Sequence, residues 1–208
     1  GLSILPPSYS ATGALSGTGK VEALYSVIDY IRHSQNKYVL ISDSNVVGNI
    51  DYNKLLDYHI EKRAYMTVAY QKEVFDPSRF YGNMFLQMDE NGRVADVAIN
   101  QGIQLHSNMA LGTYIIEREL LEFLISQCMA HNKLDFERNI VQEMCHDLDI
   151  YGWCCEGYVE KIDSIDMFRR ANMALLDTRI RDEVFSGGKI LTKVRDEVPT
   201  FYGDDVKV

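Results

Sequence analysis

The 208-residue chain carries 21 basic and 30 acidic side chains, a formal net charge of −9, with 46% hydrophobic and 25% charged residues. This composition suits a globular protein with one sizeable core, and the negative balance excludes the basic stripe of a nucleic-acid surface. No apolar run approaches the roughly 18 residues of a membrane helix, and no charged-then-apolar leader opens the sequence, so neither a membrane nor a nucleic-acid partner is expected. Cys128, Cys145, Cys154 and Cys155 show no CxxC spacing. They are expected to be reduced core or surface thiols in a cytoplasmic protein, with the adjacent Cys154 and Cys155 on opposite faces of a strand. The chain opens Gly1-Leu2-Ser3-Ile4-Leu5-Pro6-Pro7, without an initiator Met or a first strand, and reads as an excised piece of something longer.

Residues 1–19, rich in Ser, Gly, Thr and Pro, read as a surface loop. Gly17-Thr18-Gly19-Lys20 is not a phosphate-binding loop, because Ala14 and Val21 stand where that motif requires Gly and Ser or Thr. From Lys20 to Gln35, apolar residues at helical spacing predict one helix (Val21, Leu24, Tyr25, Val27, Ile28, Ile31). Tyr38-Val39-Leu40-Ile41 predicts a strand buried on both faces, followed at once by the polar tip Ser42, Asp43, Ser44 and Asn45. In open α/β sheets ligands bind beyond the carboxyl ends of strands, which makes this tip the first place to look for a site. A helix led by Asp51 as cap runs to about Arg63, and Ala64–Gln71 is a second buried strand that completes a βαβ unit with a right-handed crossover.

Lys72–Gly82 is loop-like. Asn83–Met88 and Arg93–Ile99 flank the turn Asp89-Glu90-Asn91-Gly92 and predict a hairpin. Asn108–Ile116 is a strand whose internal Gly112 signals a bulge or a close backbone approach. Helices are predicted over Glu117–Met129 and, capped by Asp135, over Asp135–His146. A strand over Ile150–Tyr158, a Ser164-capped helix to about Leu176 and an extended tail over Glu183–Val208 complete the chain. The sum is α/β with a mixed sheet, parallel early and with an inserted hairpin later.

The residues alone leave the chemistry open. Asp43, Asp51 and Asp163 offer oxygens to a hard cation, although capping accounts for Asp51. Four of the five His fall on polar helix faces or loop edges, and no pair has ligand spacing. Glu160-Lys161 reads as a solvent-exposed ion pair at a strand end.

Several stretches together resemble the glucose-1-phosphate adenylyltransferase (ADP-glucose pyrophosphorylase) family, in particular its bacterial glycogen-biosynthesis subunit of the regulatory type. They are Ser3–Pro7, Lys37–Val47, Asn49–Tyr52, Asp135–Arg138, Gly157–Val159, Ile162–Ile165, Arg170–Met173 and Leu191–Thr200. The resemblance implies a Rossmann-like nucleotidyltransferase (glycosyltransferase-A-like) domain with a mixed sheet over residues 1–185, lacking its first βα units. It further implies that residues 186–208 are a linker toward a C-terminal left-handed β-helix.

The departures from the family pattern shape the functional expectation. Active members carry Gly-Asp-His where this chain has Ser44-Asn45-Val46, and the resemblance makes that Asp a Mg²⁺ ligand. The second metal Asp falls at Lys161, which brings the wrong charge. The sugar-phosphate Glu-Lys-Pro aligns with Ile99-Asn100-Gln101. Phosphoryl transfer works by positioning and charge neutralisation, so these changes remove its main tools. The implied reading is a subunit with no catalytic residues (degenerate Asn45 and Lys161), no metal and no cofactor of its own. Its substrate pocket would be vestigial, at Asp43, Ser44, Asn45, Ile99, Asn100, Gly112 and Glu160. It would form a hetero-oligomer with a Mg²⁺-dependent catalytic subunit and retain, at most, a nucleotide or a sugar phosphate. The alternatives are an active Mg²⁺-dependent adenylyltransferase with Asp43 and Asp163 as ligands, and a sugar-nucleotide-binding sensor.

Overall fold

A computed structural model describes residues 19–74, 83–99 and 106–186. The opening loop, most of the 72–82 loop, Asn100 and Gln101, and the proposed linker fall outside the described residues. No described helix is long and apolar enough to cross a membrane. The chain divides into two compact units, one of residues 1–43 with 51–155 and one of residues 44–50 with 156–208.

The first unit is built on a six-stranded sheet of β1 (Tyr38–Ser42), β3 (Met66–Val74), β4 (Met84–Met88), β5 (Val94–Ile99), β6 (His106–Glu117) and β7 (Ile150–Cys154). The strand order is β5-β4-β6-β3-β7, and β1 also pairs with β6. β3 runs antiparallel along one edge of β6, while β4 and β1 share the other edge at residues 108–109 and 113–117. The only parallel pairing among the described strands is β3 with β7.

This corrects the simple βαβ unit. β1 and β3 are joined by helix α3 (Tyr52–Lys62), but β6 arrives later in the chain and runs antiparallel between them. β1 is also not buried on both faces: Ile41 is buried, while Leu40 is 42% exposed. A β-forming run reports a preference for extended backbone, not which faces will be covered.

Local signals fared better where a side chain closes its own backbone. Asp51 accepts from the amides of Asn53 and Lys54 at 3.1 and 3.2 Å and caps α3. Asp89 accepts from the amides of Asn91 and Arg93, both at 2.9 Å, and Gly92 takes φ +82°, which closes the β4–β5 hairpin. The predicted 20–35 helix is two helices, α1 (Lys20–Ser26) and α2 (Ile28–Arg32), separated at Val27. There the Val27 amide bonds the Leu24 carbonyl three residues back and tightens the turn. Val21, Ile28 and Ile31 still reach the core, with α4 (Arg118–Ala130) packed against both helices through Leu121, Leu124 and Ile125. The 135–146 helix is mostly a π-helix over Glu137–Gln142, with Asp135 accepting from the Arg138 amide at 2.9 Å. The predicted 150–158 strand stops at Cys154, where the amide of Cys155 turns to the Tyr70 carbonyl at 2.8 Å. All four cysteines are free, with Cys128, Cys145 and Cys155 buried.

His59 does not share the polar helix faces or loop edges expected of most of the histidines. It lies one turn beyond buried Leu55 on α3, is 1% exposed and shares a hydrogen bond with Thr67 Oγ1 through Nδ1 at 2.8 Å. The Tyr38 ring meets it edge-on at 5.2 Å between centroids. Burial pushes its pKa down from 6.5 to about 4, more than nearby Glu117 raises it. Between those values the unfolded chain takes up a proton that the folded chain refuses, so stability falls as pH falls. The expected loss from this residue is about 2 kcal/mol between pH 7 and pH 5. Urea unfolding of wild type and His59→Gln at both pH values checks it: the substituted chain should lack that part of the slope.

The second unit contains an antiparallel ribbon of β2 (Val46–Gly48) and β8 (Val159–Lys161), followed by α5 (Ile165–Ala174) and α6 (Thr178–Ser186). Ser164 caps α5 by accepting from the Met167 amide at 3.2 Å. α6 occupies the start of what reads as an extended tail from Glu183. Its Glu183 turns back to accept from the Tyr158 amide at 2.7 Å, beside Gly157 at φ +88°. That long-range bond is invisible in the local pattern.

Candidate functional site

The polar tip after β1 does gather charge, though not with the partners that its sequence suggests. In the first unit the β3–β6 register slips between Ala69 and Tyr70, so Leu111 and Gly112 have no opposite residue on β3. Gly112 sits at φ +70°, as the predicted bulge requires, and its carbonyl accepts from the Asp43 amide at 3.1 Å. The Asp43 carboxylate lies directly on the glycine: a Cβ at 112 would be 2.0 Å from Asp43 Oδ2. Just before it, Ser42 Oγ and Thr113 Oγ1 share a hydrogen bond at 3.0 Å.

From this anchored position Asp43 accepts from Lys20 Nζ at 2.9 Å. The same ammonium pairs with Glu137 Oε1, which also accepts from Tyr114 O–H at 3.1 Å. Lys20 Nζ lies 5.1 Å from the Tyr114 ring centroid and 5.7 Å from that of Phe136. A cleft of 390 Å³ adjoins it, lined by Gly19, Lys20, Leu134, Asp135, Phe136 and Glu137. Gly19 permits this close approach, since a Cβ there would fall 2.5 Å from the Leu134 carbonyl oxygen.

Burial opposes the charge on Lys20, but the bonds to Glu137 and then Asp43 outweigh it and raise its pKa. Burial likewise opposes ionised Glu137, and the Lys20 bond outweighs it and lowers that pKa. Tyr114 is pushed well up, first by burial and then by the Glu137 charge. Each group is therefore held in its ordinary ionisation state around neutrality. The cluster sets one ammonium between two carboxylates and ties α1, the end of β1, β6 and the π-helix together; it is not tuned for proton transfer.

In the second unit the two family-implied metal positions lie at the same end of the β2–β8 ribbon. Lys161 stands opposite Val46, the residue after Asn45. The Ile162 amide donates to the Asn45 carbonyl at 2.7 Å. Asn45 Nδ2 donates to the Ile162 carbonyl at 3.2 Å and to Asp163 Oδ1 at 3.1 Å. Asn45 Oδ1 is buried without a hydrogen-bond partner among the described residues. Glu160 corrects the solvent-exposed ion pair: it is 6% exposed, opposite Val47 in the ribbon.

A divalent hard cation requires several oxygens around one point. Here an amide donor faces the Asp163 carboxylate, and an ammonium-bearing residue stands on the adjoining strand. Asp43, the other alternative ligand, already holds Lys20. These residues do not fit a Mg²⁺ cage. Among the described residues no set of three His, Cys, Asp or Glu is placed to hold a metal ion.

Asp43 and Gly112 are thus brought together in one unit, and Asn45, Lys161 and Asp163 in the other, with exposed Ser44 at the start of the second. Ile99 ends β5 opposite Met84, and Asn100 falls outside the described residues. Lys20, Tyr114 and Glu137 escaped the sequence reading as site residues. Their partners lie 23 to 117 positions away, and no local spacing signals such a pair.

The mixed α/β sheet agrees with the fold of a nucleotidyl transferase domain. Residues 7–174 match the family described as Nucleotidyl transferase, and the chain belongs to that family.

Its relatives narrow the comparison. It is 25% identical to the glucose-1-phosphate adenylyltransferase of Clostridium novyi (strain NT), over 97% of this chain and 53% of that protein. It is 26% identical to that of Geobacillus stearothermophilus, over 97% of this chain and 52% of the relative. The match to that of Bacillus mycoides (strain KBAB4) is 29%, over 88% and 48%. The chain spans about half the length of the curated relatives it matches.

Proposed function

We propose that this chain is part of a non-catalytic or weakly catalytic regulatory subunit of a glucose-1-phosphate adenylyltransferase. The partner subunit would convert ATP and glucose 1-phosphate to ADP-glucose and diphosphate with Mg²⁺, for glycogen biosynthesis. One observation carries the reading: at the position implied for the first metal acid, the Asn45 amide donates to Asp163. Lys161, at the position of the second, stands on the facing strand. A carboxylate pair that would hold the cation against the phosphates is replaced by a donor and an ammonium. Transition-state charge on a transferring phosphoryl group then lacks its main neutralising ion. The subunit would act through its partner, by contact and not by turnover.

The test is ADP-glucose formation by the complete gene product with ATP, glucose 1-phosphate and Mg²⁺, alone and mixed with a catalytic subunit. The expected result is negligible product alone and a changed rate or KM in the mixture. Turnover alone at the rate of the catalytic subunit would overturn the proposal. Binding of ADP-glucose without product and without any effect on the mixture would point to a sensor.

A further inference from the structure

We infer that Asn45 serves as an internal substitute for a cation, closing the β2–β8 ribbon by holding Asp163 with its amide. The inference deepens the proposed function and rests on its assignment of position 45 to a former metal acid. Its geometry stands within one unit of the protein. The Ile162 amide and the Asn45 carbonyl form one bond of 2.7 Å, and the Asn45 side chain returns two more, to the Ile162 carbonyl and to Asp163 Oδ1. Three hydrogen bonds therefore link one side of the ribbon to the other through a single residue.

The orientation of the amide follows from its neighbours. Both atoms facing Nδ2 are acceptors, a carbonyl and a carboxylate oxygen, so the nitrogen and not Oδ1 must face them. A carboxylate at position 45 would set two negative groups against each other at that 3.1 Å contact, a repulsion that a cation between them would relieve. An amide meets Asp163 with a hydrogen instead. It needs no ion, and it gives Asp163 Oδ1 a hydrogen-bond donor. On the facing strand Lys161 contributes further positive charge to the same ribbon end.

The experiment compares wild type, Asn45→Asp and Asp163→Asn by thermal unfolding and by calorimetric titration with Mg²⁺ and Mn²⁺. Wild type should show no change in midpoint with either cation. Asn45→Asp should melt roughly 5 °C lower in chelator, from a lost hydrogen bond and a new repulsion, and should regain most of that with Mg²⁺ or Mn²⁺. A cation-induced rise in wild type that Asp163→Asn abolishes would overturn the inference. So would an Asn45→Asp protein that folds but does not respond to either ion. If that variant does not fold, the wild-type and Asp163→Asn titrations decide alone. These readings measure binding and not turnover, so an active enzyme without a cation response at Asp163 would sink the functional proposal and leave this one standing.

Discussion

Gly112→Ala is expected to destabilise the protein by about 4 kcal/mol, combining a left-handed backbone penalty with overpacking. The backbone at 112 has φ +70°, which an L side chain adopts only with strain. The new methyl would also need the space of the Asp43 carboxylate, 2.0 Å away. Asp43 would have to leave Lys20, so the substitution loosens an ion pair without touching either charged residue. A double-mutant cycle in urea with Asp43→Ala separates the parts. The steric portion should vanish in the double variant, leaving a residual of about 1–2 kcal/mol for the backbone alone. A single-variant loss no larger than that backbone residual would show that the carboxylate moves aside freely.

Lys20→Met is the second large effect, expected at about 3 kcal/mol near neutral pH, because it leaves the partly buried Asp43 and Glu137 carboxylates without their shared cation. Its pH dependence is diagnostic. In wild type Glu137 has a lowered pKa, so its contribution is present above about 4.5 and is lost as pH falls through the folded value. Lys20 has a raised pKa, and its contribution is present below about 10.5 and is lost as pH rises through the folded value. The network is therefore fully stabilising across the window between the two. Without Lys20, two facing carboxylates favour taking up a proton, so acidification narrows the gap between variant and wild type. His59 affects both proteins alike and cancels in the difference. A gap that stays constant from pH 7 to pH 4.5 would mean that Lys20 contributes packing against Tyr114 and Phe136 and little charge.

What could be read in the sequence was what neighbours in sequence decide. Asp51 and Ser164 cap helices with amides two or three residues on, and Asp89 with Gly92 closes its own hairpin. Gly112 announced its bulge because glycine inside a strand has few other uses. What failed depended on distant residues. Nothing local in Tyr38–Ser42 says that a strand beginning near residue 106 will lie beside it. Three-residue strands such as Val46–Gly48 carry too few alternations to be seen, and they form because Val159–Lys161 is present to pair with them. His59 did leave a trace: it falls four residues after Leu55, on the face that α3 buries.

The two candidate clusters were legible only in part, for the same reason. Asp43 and Asn45 stood out as polar residues beyond a strand. That Lys20 would hold one and Asp163 the other required knowing which elements meet.

The late position of β6 also governs how the chain comes together. β1, β3 and β4 all pair with it, so a nascent chain that has emerged only to residue 100 holds three strands without the one they share. Tyr38 must wait for Glu117 before its pairing closes. Closing such loops delays the reward of sheet formation and slows folding compared with local pairing. Among the described strands of this sheet the β4–β5 hairpin can form early on local contacts, whereas β1 and β3 gain their shared neighbour only after synthesis has passed residue 117.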